Sequence, residues 1–459
     1  MKIFNTLSRE KEELNKKEIK MFVCGPTVYD NSHLGHARTY IAYDIIAKYL
    51  RYRKYGLFFL MNITDVDDKI INRAAETKKD PKEIAIQFEK AFMEDLKTLG
   101  IDSIDKFARP SEHIKEIIDQ IQRLLKKKFA YETKTGVYFD ITKFADYGRL
   151  SHQNTEELKK HRIEPDHTKK HPHDFSLWKK REKTEMGWDS PFGFGRPGWH
   201  IEDTAISEKY LGQQYEIHGG AIDLVFPHHE AEIAQMESVS GKKPMVRLWT
   251  HTGFLLVNGE KMAKSLGNFV TIKEALKKHG KEVLRLFFSM SHYRSPIDFD
   301  ENNLKRTKNT LDTIYNSLVV LESIDKGKDP ETEIDSEVER IKSAFIEHMD
   351  DDFNTPYALS SLFELVDLIN KYASTGKKIS HGSKGLIETT LLEICAIFGI
   401  LQDYAPVKIT GEIKKLVAER EAARTKKDYK KADALRSKLE KMGITIEDTN
   451  AGVILKKKS

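Results

Sequence analysis

Cysteine is scarce in this chain: Cys24 and Cys395 are the only two in 459 residues. That is too few to staple a fold, and it suits a reducing compartment. Long apolar runs are missing as well. No stretch approaches the roughly 18 apolar residues of a membrane span, and the opening segment MKIFNTLSREKEELNKKEIK has no apolar core of the secretory kind. These absences predict a soluble, cytoplasmic protein with no disulfide framework and no membrane partner. Charge of one sign is also lacking, since 76 Lys and Arg face 71 Asp and Glu, a net +5. Composition is therefore compatible with a polyanionic partner without requiring one, and clusters such as Lys126-Lys127-Lys128 read equally as solvated faces. No internal repeat or long low-complexity tract is present.

What the chain does have is 39% hydrophobic residues over a length that can bury a large core divided among several domains. Met21-Phe22-Val23 runs into Cys24-Gly25-Pro26, a helical stretch follows from His36 to Leu50, and Leu57 to Met61 is again apolar. Downstream, Tyr215-Glu216-Ile217 leads into His218-Gly219-Gly220, and Val246-Arg247-Leu248-Trp249 precedes a hairpin marked by Asn258-Gly259. Short apolar runs joined by longer periodic segments predict βαβ units and a parallel sheet. Residues 96–195, with helices, a Thr135-Gly136 turn and His-, Lys- and Pro-rich loops, read as an insertion that splits this fold. Beyond about residue 300, amphipathic Lys/Glu-rich helices take over. The expected fold class is α/β: a Rossmann-like parallel-sheet catalytic domain split by an insertion and followed by a mainly α-helical C-terminal region. Its expected parts are 1–95 and 196–254 for the two halves of the parallel-sheet domain, 255–310 for the hairpin and the loop region after it, 311–400 for a helical bundle and 401–459 for a C-terminal region.

Two short patterns carry phosphate chemistry. His33-Leu34-Gly35-His36 opens a helix after a strand, where backbone N–H groups and the helix dipole favour phosphate, two imidazoles can donate to oxygens gaining charge, and Gly35 permits close approach. Lys261-Met262-Ala263-Lys264-Ser265 follows the hairpin and offers two ammonium groups to a leaving pyrophosphate. Alone, the first also reads as a helix start with two partly buried histidines and the second as a solvated basic turn. Together, in this order, they resemble the HIGH and KMSKS signatures of class I aminoacyl-tRNA synthetases, whose split Rossmann-like sheet binds ATP between the two motifs.

The longer strings MFVCGPTVYDNSHLGHARTY, NITDVDDKII, FGRPGWHIEDTAIS, HGGAIDLVFPHHEAEIAQ, DDDFNTPYAL and EDTNAGV resemble the cysteinyl-tRNA synthetase family, in the family's order and over essentially the whole chain. The resemblance implies a cysteine–tRNA ligase that acts on Mg2+-bound ATP, L-cysteine and tRNA(Cys), and a monomer. It makes His33 and His36 donors to the triphosphate and Lys264, helped by Lys261, the pyrophosphate clamp. Asp223, after Gly219-Gly220, would accept from the ATP ribose hydroxyls, although a capping Asp at a strand end is its plainer reading. Thr64 and Trp199 fall near the family's cysteine pocket, where an N-cap threonine and a core tryptophan also fit. Asp65, Asp67 and Asp68 read as helix-start carboxylates rather than metal ligands.

His228 and Glu232 lie four apart on an expected helix, so they share one face. With Cys24 they match three ligands of the zinc ion that, in this family, binds the substrate thiolate. A shape-based pocket separates cysteine from serine by only about 1–3 kcal/mol, whereas a zinc–sulfur bond rejects a hydroxyl chemically. The family's fourth ligand is a cysteine at the place held here by Asp203, which either ligates in its stead or turns away as an outer acceptor. Ala263 likewise departs from the middle serine of KMSKS and leaves both lysines in place. The resemblance makes 255–310 the loop of the second motif with a stem-contact region and 401–459 an anticodon-binding region. Two rivals use the same core: a ligase joining cysteine to an amino sugar, which lacks the anticodon-binding extension, and a catalytically silent RNA-binding paralogue. Within that extension, Glu412 to Lys441 reads as a basic helical hairpin in which Arg420, Arg424, Lys426, Lys427, Lys430 and Lys431 could face RNA.

Overall fold

The structure is a computed structural model and describes residues 1–153, 166–262, 266–325, 327, 332–376, 378–402, 411–449 and 452–457. The chain forms two compact units. The first comprises Met1–Lys278 with Tyr293–Asp298 and Asp351–Phe353. It opens with an antiparallel pair, β1 (Lys2–Asn5) and β2 (Glu10–Glu13), and then builds a five-stranded parallel sheet from β3 (Glu18–Val23), β4 (Gly56–Asn62), β5 (Lys106–Ala108), β10 (Tyr215–Ala221) and β11 (Val246–Thr252). The strand order is β11-β10-β3-β4-β5. The inner strands carry apolar residues on both faces, Met21, Phe22 and Val23 in β3 and Leu60 and Met61 in β4, all buried. A sheet covered on both sides needs that run.

The crossover from β3 to β4 is α1 (Leu34–Tyr52), and α2 (Asp68–Thr77) and α3 (Pro81–Leu99) lead from β4 to β5. Asp67 caps α2 by accepting from the Lys69 backbone N–H, and Asp68 in its first turn binds Lys179 and Arg196. Asp67 and Asp68 are therefore helix-start carboxylates, as the sequence indicates, whereas Asp65 lies before the cap and accepts from the Ser111 backbone N–H and hydroxyl. Asp80 caps α3 with Pro81 at its first position, and Gly100 ends it in the left-handed conformation. Because the chain builds outward from β3 in one direction and then returns to lay β10 on its other side, the C-terminal ends of β3 and β10 flank the point where strand order reverses. Open parallel sheets bind their ligands in the crevice at such a point.

Between β5 and β10, α4 (Ile114–Lys126) is followed by a four-stranded antiparallel sheet, β6 (Ala130–Glu132), β7 (Gly136–Phe139), β8 (Phe175–Lys180) and β9 (Gly195–Pro197), and then by α5 (Ile201–Leu211). The sequence suggests helices, a turn and loops here. The turn is present between β6 and β7, but the sheet is not legible, because its outer strands have three residues each and its central pair, β7 with β8, joins segments separated by a long stretch of sequence. After β10 come α6 (Glu230–Ser240) and β11, then the hairpin of β12 (Leu255–Val257) and β13 (Glu260–Lys261), with Asn258 and Gly259 at positive φ, and α7 (Ile272–His279).

The second unit comprises His279–His292, Phe299–Asp350 and Asn354–Ser459. Its described helices are α8 (Lys281–Ser289), α9 (Glu301–Ser323), α10 (Thr332–Asp350), α11 (Thr355–Thr375), α12 (His381–Phe398), α13 (Gly411–Thr425) and α14 (Tyr429–Lys441). Buried Arg285 donates from Nε to the Phe398 carbonyl at 2.7 Å, tying α8 to the end of α12. The expected helical character holds, with one addition. Ile444–Thr449 and Gly452–Lys457 pair antiparallel, and Ile444, Ile446 and Leu455 close a small core over Ile413, Leu416 and Leu439 of the helical hairpin.

Candidate active site and metal centre

At the start of α1, His33 and His36 cap each other. His33 Nδ1 accepts from the His36 backbone N–H and His36 Nδ1 from that of His33, both at 3.4 Å, and the rings stack 3.8 Å apart. Desolvation, reinforced by His33 and Lys69, holds the His36 imidazole well below the usual histidine range. A neutral ring whose Nδ1 accepts carries its hydrogen on Nε2, so His36 is set as a donor. A Cβ on Gly35 would touch the His33 ring at 3.0 Å and lie 3.7 Å from Met262, so the second motif approaches the first at the one residue without a side chain. Phe269 meets the His33 ring edge-on at 5.4 Å.

These groups line a single cavity of about 430 Å³ together with Lys261, Asp223, Thr64, Trp199, Cys24, Asp203 and His228. Most of the residues singled out from the sequence are thus brought together. Asp223 lies on a 3-10 turn, exposed rather than buried as a cap. Lys261 is exposed, with its ammonium 5.1 Å from the Phe254 ring centroid, and Lys264 lies outside the described residues. Gly219 and Gly220 are not among the lining residues. A Cβ on Gly219 would sit 2.3 Å from the Tyr43 ring, and one on Gly220 would sit 2.9 Å from His229. Thr64 is buried and donates its backbone N–H to Pro26, while Trp199 keeps 37% of its surface exposed and stacks on His228 at 4.3 Å.

Beneath Trp199 lies a buried cluster. Cys24 follows the end of β3, Asp203 sits in the first turn of α5, and a short wide turn, Val225–His229, feeds His228 and His229 into α6, whose first turn holds Glu232. His228 therefore precedes the helix expected to carry it, yet it still faces Glu232. Its Nε2 is 2.9 Å from Asp203 Oδ2 and 3.0 Å from Glu232 Oε1. Cys24 Sγ lies 3.1 Å from His229 Nε2, 3.5 Å from Asp203 Oδ2 and from His218 Nε2, and 4.0 Å from Glu232 Oε1. Donor atoms of Cys24, His228, His229 and Glu232 all lie within 4.8 Å of one another.

The electrostatics of this cluster call for a cation. Burial, with Glu232 and Asp203 alongside, pushes the Cys24 thiol well above its usual range, and burial lifts Glu232 to about 7. Against the pull of burial, Glu232 and Asp203 raise His228 to about 9. Burial holds His200, His218 and His229 well below the ordinary value and His251 at about 3. Three acidic groups thus share one imidazolium, and Glu232 Oε2 makes no hydrogen bond among the described residues. A thiol, imidazoles and carboxylates at hydrogen-bond spacing form a donor set suited to zinc, which would stabilise the ionised thiol and carboxylates.

Comparison with known proteins assigns the scaffold. Residues 10–309 match the tRNA synthetases class I (C) catalytic domain, 344–402 the DALR domain and 407–453 the cysteinyl-tRNA ligase anticodon binding domain. The chain is 46% identical to the cysteine–tRNA ligases of Thermococcus onnurineus and Methanococcus maripaludis, with 100% of this chain and 99% of each relative aligned. The chain belongs to the cysteinyl-tRNA synthetase family. It is an aminoacyl-tRNA ligase of class I. In fold it is similar to Mycobacterium tuberculosis methionyl-tRNA synthetase in complex with methionyl-adenylate, with a TM-score of 0.61 at 18% identity over 83% of this chain and 89% of that one. No helix among the described residues is long and apolar enough to cross a membrane.

Several residues of the site escape a reading of the sequence. His229 is the main one, and its signal was available: it stands three residues before Glu232, and positions three apart share a helix face as those four apart do. His200 and His251, which touch the two cluster histidines, sit alone in unrelated segments and offer no spacing to read. Asn62, which donates from Nδ2 to Asp203 Oδ1 at 2.6 Å, is equally silent.

Proposed function

We propose that the chain activates L-cysteine with Mg2+-bound ATP, releasing pyrophosphate, and transfers the cysteinyl group to tRNA(Cys). What carries the reading is one cavity lined both by His33, Gly35, His36, Asp223 and Lys261 and by Cys24, Asp203 and His228. The phosphate-handling motifs and a thiol-compatible metal centre are thereby within reach of a single small substrate. The carboxylate oxygen of cysteine attacks the α-phosphorus in line, forming a P–O bond as the bond to pyrophosphate breaks. His33 and His36 donate to the oxygens that gain charge, Lys261 and Lys264 neutralise the leaving pyrophosphate, and Asp223 accepts from the ribose hydroxyls. Gly35 leaves room for the phosphates, while Gly219 and Gly220 act by letting Tyr43 and His229 close in from behind. Thr64 and Trp199 border the amino acid. The terminal ribose of tRNA then attacks the carbonyl through its 2′-hydroxyl, releasing AMP.

Cys24, His228 and Glu232 would hold a zinc ion, with Asp203, at the family's cysteine position, as a further donor. Bound there, zinc supplies a direct bond to the substrate sulfur and so selects against the hydroxyl of serine. The match of residues 407–453 to an anticodon-binding domain supports tRNA over an amino-sugar acceptor. Cysteine-dependent ATP–pyrophosphate exchange by the purified chain, with zinc content and serine as the competing substrate, tests the reading. Folded, zinc-loaded protein without exchange would overturn it in favour of a silent RNA-binding paralogue.

A further inference from the structure

Asp203 replaces a sulfur donor with oxygen, and a second nitrogen reaches the same locus. We propose that His229 is a ligand of the zinc ion, completing with Cys24, His228 and Glu232 a four-donor shell that does not depend on Asp203. This rests on the reading above, in that it takes zinc to be resident.

Spacing is the first support. Four donors on zinc at its usual bond lengths stand roughly 3.3–3.8 Å apart. His229 Nε2 is 3.1 Å from Cys24 Sγ, His228 Nε2 is 3.0 Å from Glu232 Oε1, and all four donor atoms fall within 4.8 Å of one another. The wide turn and the helix start that follows it supply three of them, with His228 four residues and His229 three residues before Glu232, each within reach of it.

Hydrogen placement is the second. A zinc-bound imidazole hands its other N–H to an acceptor, which fixes its tautomer and orientation. His229 Nδ1 lies 2.8 Å from His251 Nε2, and His251 Nδ1 lies 2.8 Å from Thr6 Oγ1. If each Nδ1 carries the hydrogen and donates it, His229 Nε2 is left with a free lone pair aimed at Cys24. His228 is braced in the same manner, with its Nδ1 2.8 Å from His200 Nδ1. Each of the two rings thus has a second imidazole behind it.

Room and charge are the third. His229 is fully buried, and its ring occupies the space where a Cβ on residue 220 would sit, so glycine there is what admits the ring. Thiolate and one carboxylate cancel the charge of the ion, and two neutral imidazoles complete the shell without excess charge. Asp203, tied to Asn62, is left as an outer or exchangeable fifth donor 2.9 Å from His228 Nε2.

X-ray absorption on the full-length, zinc-loaded protein should count one sulfur and two imidazoles. By chelator competition, His229→Gln should lower zinc affinity by more than about 100-fold, beyond the loss of about 10–100-fold typical of outer-shell changes. Asp203→Asn and His251→Gln should stay within that outer range. With cobalt substituted for zinc, the visible spectrum should change in His229→Gln and not in His251→Gln. One imidazole per ion in the wild type, or an unaltered cobalt spectrum in folded His229→Gln, overturns the assignment while the metal centre itself stands. Wild-type protein that takes up no zinc on reconstitution overturns the metal reading with it. If His229→Gln does not fold, the wild-type imidazole count decides alone.

Discussion

At His36 the same atoms serve folding and chemistry. Its Nδ1 satisfies the backbone of His33 at the head of α1, which leaves Nε2 to carry the hydrogen of a residue that lines the cavity. His36→Ala should lower the pyrophosphate-exchange rate by two or more orders of magnitude, the loss typical of removing a donor that acts on the transition state, with little change in cysteine affinity. Near-normal turnover would remove the motif from the chemistry. The pH behaviour follows from the lowered value. The unfolded ring titrates near 6.5, and the folded one below it, so this contribution to stability is complete above pH 6.5 and is lost as pH falls through the folded value. In selectively labelled protein the His36 ring resonance, assigned by its loss in His36→Gln, should hold its position between pH 7.5 and 6.0. A titration midpoint near 6.5 would contradict the burial argument.

Among the elements, α1 is the one that aligns the site. Its Tyr43 hydroxyl accepts from the Gly220 N–H at 3.0 Å and donates to the Thr250 carbonyl at 2.7 Å, bridging β10 and β11. Its Arg38, 4% exposed, donates to the backbone carbonyls of Phe254, Tyr293 and Ser295 next to the hairpin that bears Lys261. Arg38→Met keeps the length of the side chain and strips those carbonyls of their donor. A cost of about 3 kcal/mol in denaturant unfolding is expected, since each buried group left unsatisfied costs about 1–3 kcal/mol. A cost under about 1 kcal/mol would mean that water replaces the guanidinium. The sequence makes the backbone of this arrangement legible: the strands around Met21–Val23, Leu57–Met61 and Val246–Trp249, the helix after His33 and the Asn258-Gly259 turn all form where local periodicity and turn chemistry place them. Arg38 and Tyr43 are illegible for a physical reason. Their partners are backbone groups more than 170 residues away, and a carbonyl leaves no mark on the sequence. The insertion's sheet is hidden likewise, since strands as short as Ala130–Glu132 show no alternation.

On the scale of the whole molecule, the sequence places a basic hairpin at the C-terminal end, and the structure divides its cations into two kinds. Arg420 is 3% exposed and binds Asp448 through both Nη atoms, and Arg424 joins the same carboxylate. Paired with Arg420 above all, Asp448 is held below the usual carboxylate range. Arg420 therefore clasps the final β-hairpin to α13, which corrects its reading as an RNA-facing side chain: a buried, paired guanidinium cannot be offered to a base. Lys426, Lys427, Lys430 and Lys431 are all exposed around the turn between α13 and α14, where Tyr429 also keeps 62% of its surface. Exposed cations beside an exposed ring can meet phosphates and stack on an unpaired base. Changing all four lysines to glutamate should leave cysteine-dependent pyrophosphate exchange unchanged, because activation needs only the first unit's cavity. Charging of tRNA should weaken by at least about tenfold at low salt, and its affinity should become less steeply salt-dependent, since every phosphate that is no longer neutralised lowers the slope by about 0.7–0.9. Arg420→Ala is the contrasting variant. It should melt the C-terminal core of Ile413, Leu416, Leu439, Ile444, Ile446 and Leu455 and thereby reduce charging through loss of structure, visible as a lower unfolding temperature that the lysine variant does not share. Equal loss of exchange and charging in the folded lysine variant would show that this end of the chain does not separate tRNA selection from chemistry.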